Sequence, residues 1–332
     1  MNRLKAFAAA LLLSASGMAQ AAPDLSGVTL VLGDQARNLR SLVEASGVLK
    51  DAPWRYRWAN FQGAAPLFEA QRAGAVDTSY AGDLPVLMAA SGGVPLKIIA
   101  TNVGDAGSNG LIVPADSPVR SVKDLAGKEV VVSSARGSIS QHLLYEALDE
   151  AQVPRDSVPV RFVLPTDASA AFNSGQIGVW ATFDPYLGIA EQHGARLLRD
   201  GKGLTTALSF VTATRQSLDD PGKRAAIADF AQRLAKARAW ALAHKEEYNQ
   251  VYAQLTRLPP ADAEKITARI SHGIRAVTPE DIEKVQKVSD LFSELKILPN
   301  KVDVAAITDR SLFPQYRAQG CVMPPMPCFA LY

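Results

Sequence analysis

The sequence predicts an α/β protein with two lobes. Short apolar runs alternate with helical patterns through most of the chain, which is typical of a largely parallel sheet whose strands are joined by crossover helices. The chain has 332 residues, and the 311 that follow a predicted targeting segment are more than one hydrophobic core usually serves. The order of the elements further indicates that one lobe is inserted between the two halves of the other.

Residues 1–21 predict a cleaved signal peptide. Arg3 and Lys5 precede an apolar run at residues 6–13, and the AQA at residues 19–21 has the small-residue spacing of a cleavage site. The apolar run is too short to span a bilayer, and no later stretch reaches eighteen apolar residues. No cysteine stands at the cleavage site. We therefore expect a secreted protein with no direct membrane anchor.

The first lobe is predicted to begin with four strands and three intervening helices. We predict the strands at residues 28–32, 56–58, 75–80 and 96–102, and the helices at residues 39–49, 66–72 and 85–90. Gly47 and Gly74 stand where the first two helices end, as glycine often does at helix C-termini.

The second block is predicted to be another α/β unit. We predict a helical turn at residues 121–125, a helix at 138–151 and strands at 111–114, 129–133, 158–164 and 195–198. A further helix is expected behind Thr166 or Asp167 as N-cap, and it leads into an aromatic strand that ends near Asp184.

The chain is then predicted to return to the first lobe. A strand at residues 208–214 precedes a mostly helical region, with helices expected at 221–252, 260–273 and 279–295. We thus assign residues 22–105 and 212–332 to lobe I and residues 106–211 to lobe II. Two crossings between lobes, at residues 101–108 and 203–214, would form a hinge.

Four loops at predicted strand ends carry small or hydroxyl residues directly before a helix. They read GDQAR (33–37), FQGAA (61–65), AGDLP (81–85) and SARGSIS (134–140). Helix N-termini expose unpaired N–H groups and a partial positive charge, so several such loops facing one cleft would bind an anion. A small residue before a helix is also an ordinary cap, and a single loop could be no more than that.

Individual polar residues in these segments have two interpretations each. Arg37 and Arg136 could hold a sulfonate, sulfate or carboxylate through two parallel hydrogen bonds, or could be solvated loop charges. Asp184 could accept a hydrogen bond from a ligand amine or hydroxyl, or could cap the helix that begins near Pro185.

Four aromatic residues lie near the predicted returning crossing. They could wall an apolar pocket for an alkyl or aryl tail, or could simply be core residues. They are Trp180, Phe183, Tyr186 and Phe210.

The composition excludes several classes of function. Loss of Arg3 and Lys5 with the signal peptide lowers the formal net charge from +2 to zero, and no block of five or more Lys or Arg occurs, so we expect no nucleic-acid partner. The four histidines lack metal-ligand spacing, and no P-loop, GxSxG or dinucleotide motif is present. We predict no catalytic residue, no metal site and no cofactor.

The two cysteines, Cys321 and Cys328, lie in the tail CVMPPMPC. A local disulfide is the ordinary expectation in an oxidising compartment. Copper(I) capture with Met323 and Met326, or two unpaired thiols, are the alternatives.

Three stretches of the chain resemble a known family. They are AGAVDTSYAGDLPVLMAASGG (73–93), LIVPADSPVRSVKDLAGKEVVVSSARGSISQHLLYEAL (111–148) and LPTDASAAFNSGQIGVWATFDPY (164–186). Their order and spacing are similar to those of the sulfonate/taurine/nitrate group of periplasmic solute-binding proteins of ABC transporters. The resemblance covers residues 28–214 well and the helical remainder more loosely.

The resemblance implies a type II periplasmic binding protein fold that closes on an oxyanion between two lobes. It implies a monomer in the periplasm that delivers an alkanesulfonate, a taurine-like compound or a sulfate ester to an inner-membrane ABC permease. The shorter length favours sulfonates over nitrate. Carried onto matching positions, the implied ligand-facing residues are Gln35, Gln62, Gly63, Gly82, Asp83, Gly137, Ser138, Thr166, Trp180 and Asp184. From the loop and aromatic patterns we add Arg136 and Phe210.

An enzymatic function on the same scaffold is the alternative. The fold also hosts a desulfinase with a nucleophilic cysteine in the first loop, whereas here that loop reads GDQAR and both cysteines lie near the C-terminus. Without a thiol in the cleft no thiolate can attack a substrate, so we expect a binding protein.

Overall fold

The computed structural model describes residues 23–313, so the predicted signal peptide and the two cysteines lie outside the described residues. The described chain forms eleven strands. They are β1 (Thr29–Gln35), β2 (Arg55–Phe61), β3 (Thr78–Gly82), β4 (Leu96–Gly104), β5 (Asn109–Val113), β6 (Val130–Ser133), β7 (Val160–Val163), β8 (Trp180–Phe183), β9 (Arg196–Asp200), β10 (Leu208–Thr214) and β11 (Ser271–Arg275).

Helices connect and cover these strands. They are α1 (Asn38–Ser46), α2 (Ala64–Arg72), α3 (Asp83–Ser91), α4 (Ile139–Glu150), α5 (Pro165–Asn173), α6 (Tyr186–Gln192), α7 (Arg215–Asp219), α8 (Pro221–Ala243), α9 (Lys245–Thr256), α10 (Pro260–Thr267) and α11 (Pro279–Glu294). Short 3₁₀ turns occur at Ala106–Ser108, Val122–Leu125, Arg155–Ser157 and Arg310–Leu312.

The strands form two separate sheets. The first has the order β11-β4-β10-β3-β1-β2 and the second the order β7-β6-β8-β5-β9. All strands of the second sheet lie between β4 and β10 in the sequence. We call the first sheet with its helices the first unit (residues 29–104 and 208–312) and the second sheet with its helices the second unit (residues 106–200).

Both sheets are mixed rather than largely parallel. β1 pairs in parallel with β2 and β3, but β10 runs antiparallel to both β3 and β4, and β11 antiparallel to β4. In the second sheet β6 is parallel to β7 and β8, while β5 is antiparallel to β8 and β9. Two of the reversed strands, β5 and β10, directly follow the crossings between the units. The expected lobe boundary at residues 211 and 212 falls inside β10, all of which belongs to the first sheet.

Each sheet is covered by apolar side chains on both faces. In the first unit, Leu30, Leu42 and Phe230 belong to one core cluster, and Leu84 and Phe292 to another. In the second unit, one core cluster centres on helix α4 and another on α5 and α6. Close-packed layers of this kind make the sheets a rigid scaffold, and binding residues on such scaffolds commonly lie in the loops at the sheet edges.

Most elements occur where the sequence predicts them, but three predictions are wrong. A single helix at residues 221–252 is instead two helices, α8 and α9, that meet at His244. The predicted helix at 260–273 ends at Thr267, and the strand β11 follows. Helix α5 begins at Pro165, with Leu164 as N-cap, rather than behind Thr166 or Asp167. Proline is well suited to a first helical position because its missing N–H would be unpaired there.

No helix in residues 23–313 has the length and apolar character needed to cross a membrane.

Candidate ligand-binding site

A cavity of about 100 Å³ lies between the two units. The first residues of three helices line it: Asn38 of α1, Asp83 of α3 and Ile139 of α4. Three helix N-termini therefore point their partial positive charges toward one space. The other uncharged polar side chains at the wall are Tyr80, Asn102, Ser108, Asn109, Thr205 and Ser209, and the apolar side chains are Ile139, Phe183, Ala207, Leu208 and Ile270. Asp105, His142 and Asp184 also line the cavity.

The floor of the cavity is a hydrogen-bonded chain on strands of the first sheet. Asn102 Nδ2 donates to Ser209 Oγ at 2.9 Å, and Ser209 Oγ donates to Tyr80 Oη at 3.2 Å. Ser271 Oγ donates to Asn102 Oδ1 at 2.5 Å. Because each buried polar group finds a partner in the next, these side chains are held in fixed orientations.

Two asparagines at the cavity wall have unused hydrogen-bonding capacity. The Oδ1 atoms of Asn38 and Asn109 are buried and form no hydrogen bond with any residue in 23–313. Rotation of an amide group by 180° exchanges its oxygen for its NH₂, so each asparagine can offer either an acceptor or two donors. Both can thus serve a polar ligand.

Two of the predicted loops, 61–65 and 134–140, meet across the gap between the units, where the first also contacts α5 and α6. The backbone N–H of Thr166 donates to Gln62 Oε1 at 3.1 Å, and Tyr186 Oη donates to the Gln62 carbonyl at 3.0 Å. A Cβ placed on Gly63 would come within 2.9 Å of Ser134 Oγ. The structure therefore brings the second loop of the first unit against the second unit.

Two further glycines lie at close approaches between the units. A Cβ on Gly82 would lie 2.3 Å from Cγ2 of Ile139, and a Cβ on Gly137 would lie 2.7 Å from Cγ of Met88. Gly137 also has a positive φ of 80°, which favours glycine. The absence of a side chain at these positions lets the two units approach closely.

Asp83 lines the cavity but its carboxylate is already bonded. Oδ2 accepts from Thr206 Oγ1 at 2.5 Å, and Oδ1 accepts from the backbone N–H of Leu84 at 2.7 Å. The nearest cation candidate is His142, whose Nδ1 lies 4.0 Å from Oδ1.

Gln35, Gly137 and Ser138 are bonded within their own loops or to neighbouring strands. Gln35 Nε2 donates to the Tyr80 carbonyl at 2.8 Å. Ser138 Oγ accepts from the N–H of Gln141 at 3.3 Å, and Gly137 N–H donates to Gln141 Oε1 at 2.7 Å. Ligand contact by these three residues stays a prediction, and the bonds of Gly137 and Ser138 are those of a helix cap at α4.

Asp34, which the sequence did not single out, occupies the N-terminus of α1. Its fully buried carboxylate accepts from the N–H groups of Gln35, Leu39 and Arg40 at 2.8, 3.0 and 2.9 Å. Burial raises its pKa to about 6, although these N–H groups and Arg40 oppose the shift. The α1 terminus is thus already satisfied by an acid of the chain.

Asp184 joins the two units through an ion pair. Arg269 Nε and Nη2 donate to Asp184 Oδ2 and Oδ1 at 2.6 and 2.9 Å, and Nη2 also donates to Glu191 Oε2 at 2.6 Å. Asp184 Oδ1 accepts from the N–H of Gly188 in α6 at 2.9 Å, which agrees with the capping interpretation. Burial raises the pKa of Asp184 to about 6, and Arg269 opposes the rise. The Asp184–Pro185 peptide bond is cis.

The two arginines predicted in the loops contact backbone carbonyls. Arg136, which is exposed, donates from Nη2 to the Lys296 carbonyl at 2.6 Å and so connects the units. Arg37 donates from Nη1 to the Leu255 carbonyl. Neither lines the cavity, and a role for Arg136 in holding an anion stays a prediction.

The four predicted aromatic residues divide into two groups. Trp180 and Phe210 are 0% and 1% exposed, and Trp180 packs against Phe172 with its Nε1 donating to Ser133 Oγ at 2.8 Å. Their burial favours the core interpretation, and ligand contact by them stays a prediction. Phe183 lines the cavity and packs edge to face on Tyr186 at 5.7 Å.

Sequence reasoning missed most of the cavity wall. Asn102 and Ser209 are polar positions within apolar strands, and such interruptions are a signal that could have found them. Arg269 carries no local signal, because its partners Asp184 and Glu191 are far away in the sequence. Within residues 23–313 no group of three or more His, Cys, Asp or Glu side chains could hold a metal ion.

Comparison with known proteins identifies relatives along nearly the whole chain. Residues 64–247 match the family described as NMT1/THI5 like. An aliphatic sulfonates-binding protein of Escherichia coli (strain K12) is 30% identical over 309 residues, which cover 92% of this chain and 95% of that protein.

Solved structures show the same architecture. The alkanesulfonate-binding protein SsuA from Xanthomonas axonopodis pv. citri bound to MOPS superimposes with a TM-score of 0.79 at 27% identity, over 85% of this chain and 98% of that one. The periplasmic aliphatic sulphonate binding protein SsuA from Escherichia coli gives a TM-score of 0.73 at 28% identity, over 84% and 97%. The expected two-unit periplasmic binding protein fold is thereby confirmed.

Proposed function

Because the chain belongs to the NMT1/THI5-like family and is homologous to periplasmic aliphatic sulfonate-binding proteins, we propose that it binds an aliphatic sulfonate between its two units. In this proposal it acts in the periplasm as a monomer and delivers the ligand to an inner-membrane ABC permease. The observation that supports it most is the cavity between the units. Residues of both units line it, and the first residues of three helices are among them.

The cavity offers the groups that a small sulfonate requires. The hydroxyl and amide side chains around it can donate to sulfonate oxygens, and the helix N-termini add a favourable field. Ile139, Phe183 and Leu208 provide the apolar surface for a carbon tail. Binding would thus combine uncharged donors with a short apolar wall.

The size of the cavity favours a short ligand. Its volume of about 100 Å³ is smaller than the ~150 Å³ engineered cavity that holds benzene. Methanesulfonate, ethanesulfonate and taurine are of suitable size, whereas a longer alkyl chain needs the units to lie further apart. Asp83 and Asp105 at the wall additionally suit a ligand with an ammonium group, such as taurine.

We further propose that the protein binds its ligand without chemical turnover. The first loop has no cysteine, and both cysteines of the chain lie at residues 321 and 328. The first loop therefore supplies no thiolate nucleophile of the kind used in desulfination.

Thermal unfolding with a panel of anions tests the proposal. At about 100 times the Kd, a ligand adds roughly 2.7 kcal/mol to the free energy of unfolding, which corresponds to a rise in Tm of about 4 °C for a chain of this length. We expect ethanesulfonate or taurine to give this rise and nitrate to give none. Stabilisation by nitrate alone, or by no sulfonate or sulfate ester, would contradict the proposal. Release of sulfite from a bound sulfonate would favour the enzymatic alternative.

A further inference from the structure

Arg238 of α8 is a buried cation with unused hydrogen-bonding capacity. The residue is 2% exposed, and its Nε and Nη2 atoms form no hydrogen bond with any residue in 23–313. The Tyr248 ring lies beside it, with its centroid 5.7 Å from Cζ. A guanidinium remains charged in proteins, and an unpaired buried charge is strongly unfavourable. An anionic partner would remove that penalty.

A groove of about 510 Å³ opens onto Arg238 between α8, α9, α10 and β11. No residue that lines this groove also lines the cavity between the units. Its walls include the apolar side chains of Ala241, Leu242, Pro260 and Ala268, and its rim carries the exposed Lys245, Glu246, Glu264 and His272. Lys245 stands against Glu246 and Glu264 at the rim, and Arg238 is the only buried charge among the residues that line the groove.

Tyr248 adds a second polar group beside the guanidinium. Its buried hydroxyl forms no hydrogen bond of normal length with residues 23–313. Burial raises the pKa of the phenol, and the neighbouring Arg238 charge opposes that rise, so the hydroxyl stays protonated and able to donate. A ligand at Arg238 would therefore meet donors from two side chains.

The free donors of Arg238 specify the shape of the ligand head group. Nε–H and the outer N–H of Nη2 lie on one edge of the planar guanidinium and point in the same direction, which matches the two oxygens of a carboxylate. We propose that this groove is a second ligand site, separate from the cavity, which binds a small monocarboxylate with an apolar chain. The carboxylate pairs with Arg238, and the chain lies along Ala241, Leu242 and Pro260.

Calorimetric titration with hexanoate tests this site. We expect hexanoate to bind with a stoichiometry of one at millimolar concentrations, and hexylamine not to bind. Arg238→Met should weaken hexanoate binding at least about tenfold, because a charge-assisted bidentate pair is lost. Ala268→Trp fills the groove from its wall and should have the same effect without altering Arg238. Lys236→Met removes an exposed charge from the same helix outside the groove and should leave binding unchanged.

Ethanesulfonate separates this proposal from the function proposed for the cavity. Saturating ethanesulfonate should not displace hexanoate, and Arg238→Met should still bind ethanesulfonate if the wild type does. Absence of hexanoate binding to the wild type overturns the second site, as does full binding to Arg238→Met or displacement by ethanesulfonate. If no sulfonate binds while hexanoate behaves as expected, the cavity proposal alone fails.

Discussion

Replacement of Arg269 by methionine should weaken ligand binding by opening the gap between the units. Arg269 follows α10 in the first unit, whereas its partners Asp184 and Glu191 belong to the second unit. The side chains of the three residues are 17%, 6% and 12% exposed. When the units are in contact, Arg269→Met would leave the carboxylates of Asp184 and Glu191 buried without the arginine that pairs with them.

The expected effect can be estimated from this geometry. Removal of one partner from a buried ion pair costs about 3–5 kcal/mol. We take about 3 kcal/mol, because the groups are partly exposed and Lys265 remains 3.7 Å from Glu191. Separation of the units hydrates both carboxylates, so the cost falls on closure rather than on folding. Since 1.4 kcal/mol is a factor of ten, sulfonate affinity should fall up to about a hundredfold.

Arg275 provides a matched control. It bonds Asp281 at 2.6 and 2.9 Å, and the Asp281 side chain is 4% exposed, but both residues belong to the first unit. Arg275→Met should lower the free energy of unfolding while leaving ligand affinity within about twofold, as expected for independent sites. The measurements are calorimetric titration with ethanesulfonate or taurine and the radius of gyration by X-ray scattering. Equal affinity of Arg269→Met and wild type would refute the reasoning.

Two further predictions concern pH and closure. Burial raises the pKa of Asp34 from 3.8 to about 6, so between these pH values the folded state retains a proton that the unfolded state releases. The free energy of unfolding should therefore fall by about 3 kcal/mol as the pH rises from about 4 to 6. The free energy of unfolding of Asp34→Asn, measured with urea across this pH range, should not show this fall. The same fall in Asp34→Asn as in the wild type would contradict the shifted pKa. Gly82→Ala should weaken sulfonate binding about tenfold, because its Cβ would clash with Ile139 when the units meet. Wild-type affinity of Gly82→Ala would show that the close approach is not needed.

The sequence predicted elements whose signals are local. The strand at residues 208–214 was predicted with the bounds that β10 has, because its apolar run is flanked by clear breaks. β11 was missed because helical patterning continues toward residue 273, while the strand forms by pairing with β4 about 170 positions earlier. The break between α8 and α9 at His244 contains neither Gly nor Pro, so no ordinary helix-ending residue marks it.

The candidate site was predictable only in part for the same reason. Asp83 and Asp184 stand at strand ends, where α/β folds place ligand sites, and both line the cavity. Asn102 and Ser209 lie within strands that cross between the units, and only the pairing of β4 with β10 places them side by side. Their role depends on tertiary register, which no local pattern carries.

In the proposed site, the helix N-termini would act on a sulfonate mainly through their electric field. The sequence suggested that their free N–H groups would hold an oxyanion, yet Asp34, Asp83 and Ser138 already accept from N–H groups of α1, α3 and α4. No Lys or Arg among the described residues lines the cavity. In the proposed site, direct hydrogen bonds to a sulfonate would come mainly from uncharged side chains such as Asn38, Asn109 and the hydroxyls nearby, which would select a ligand by shape more than by charge.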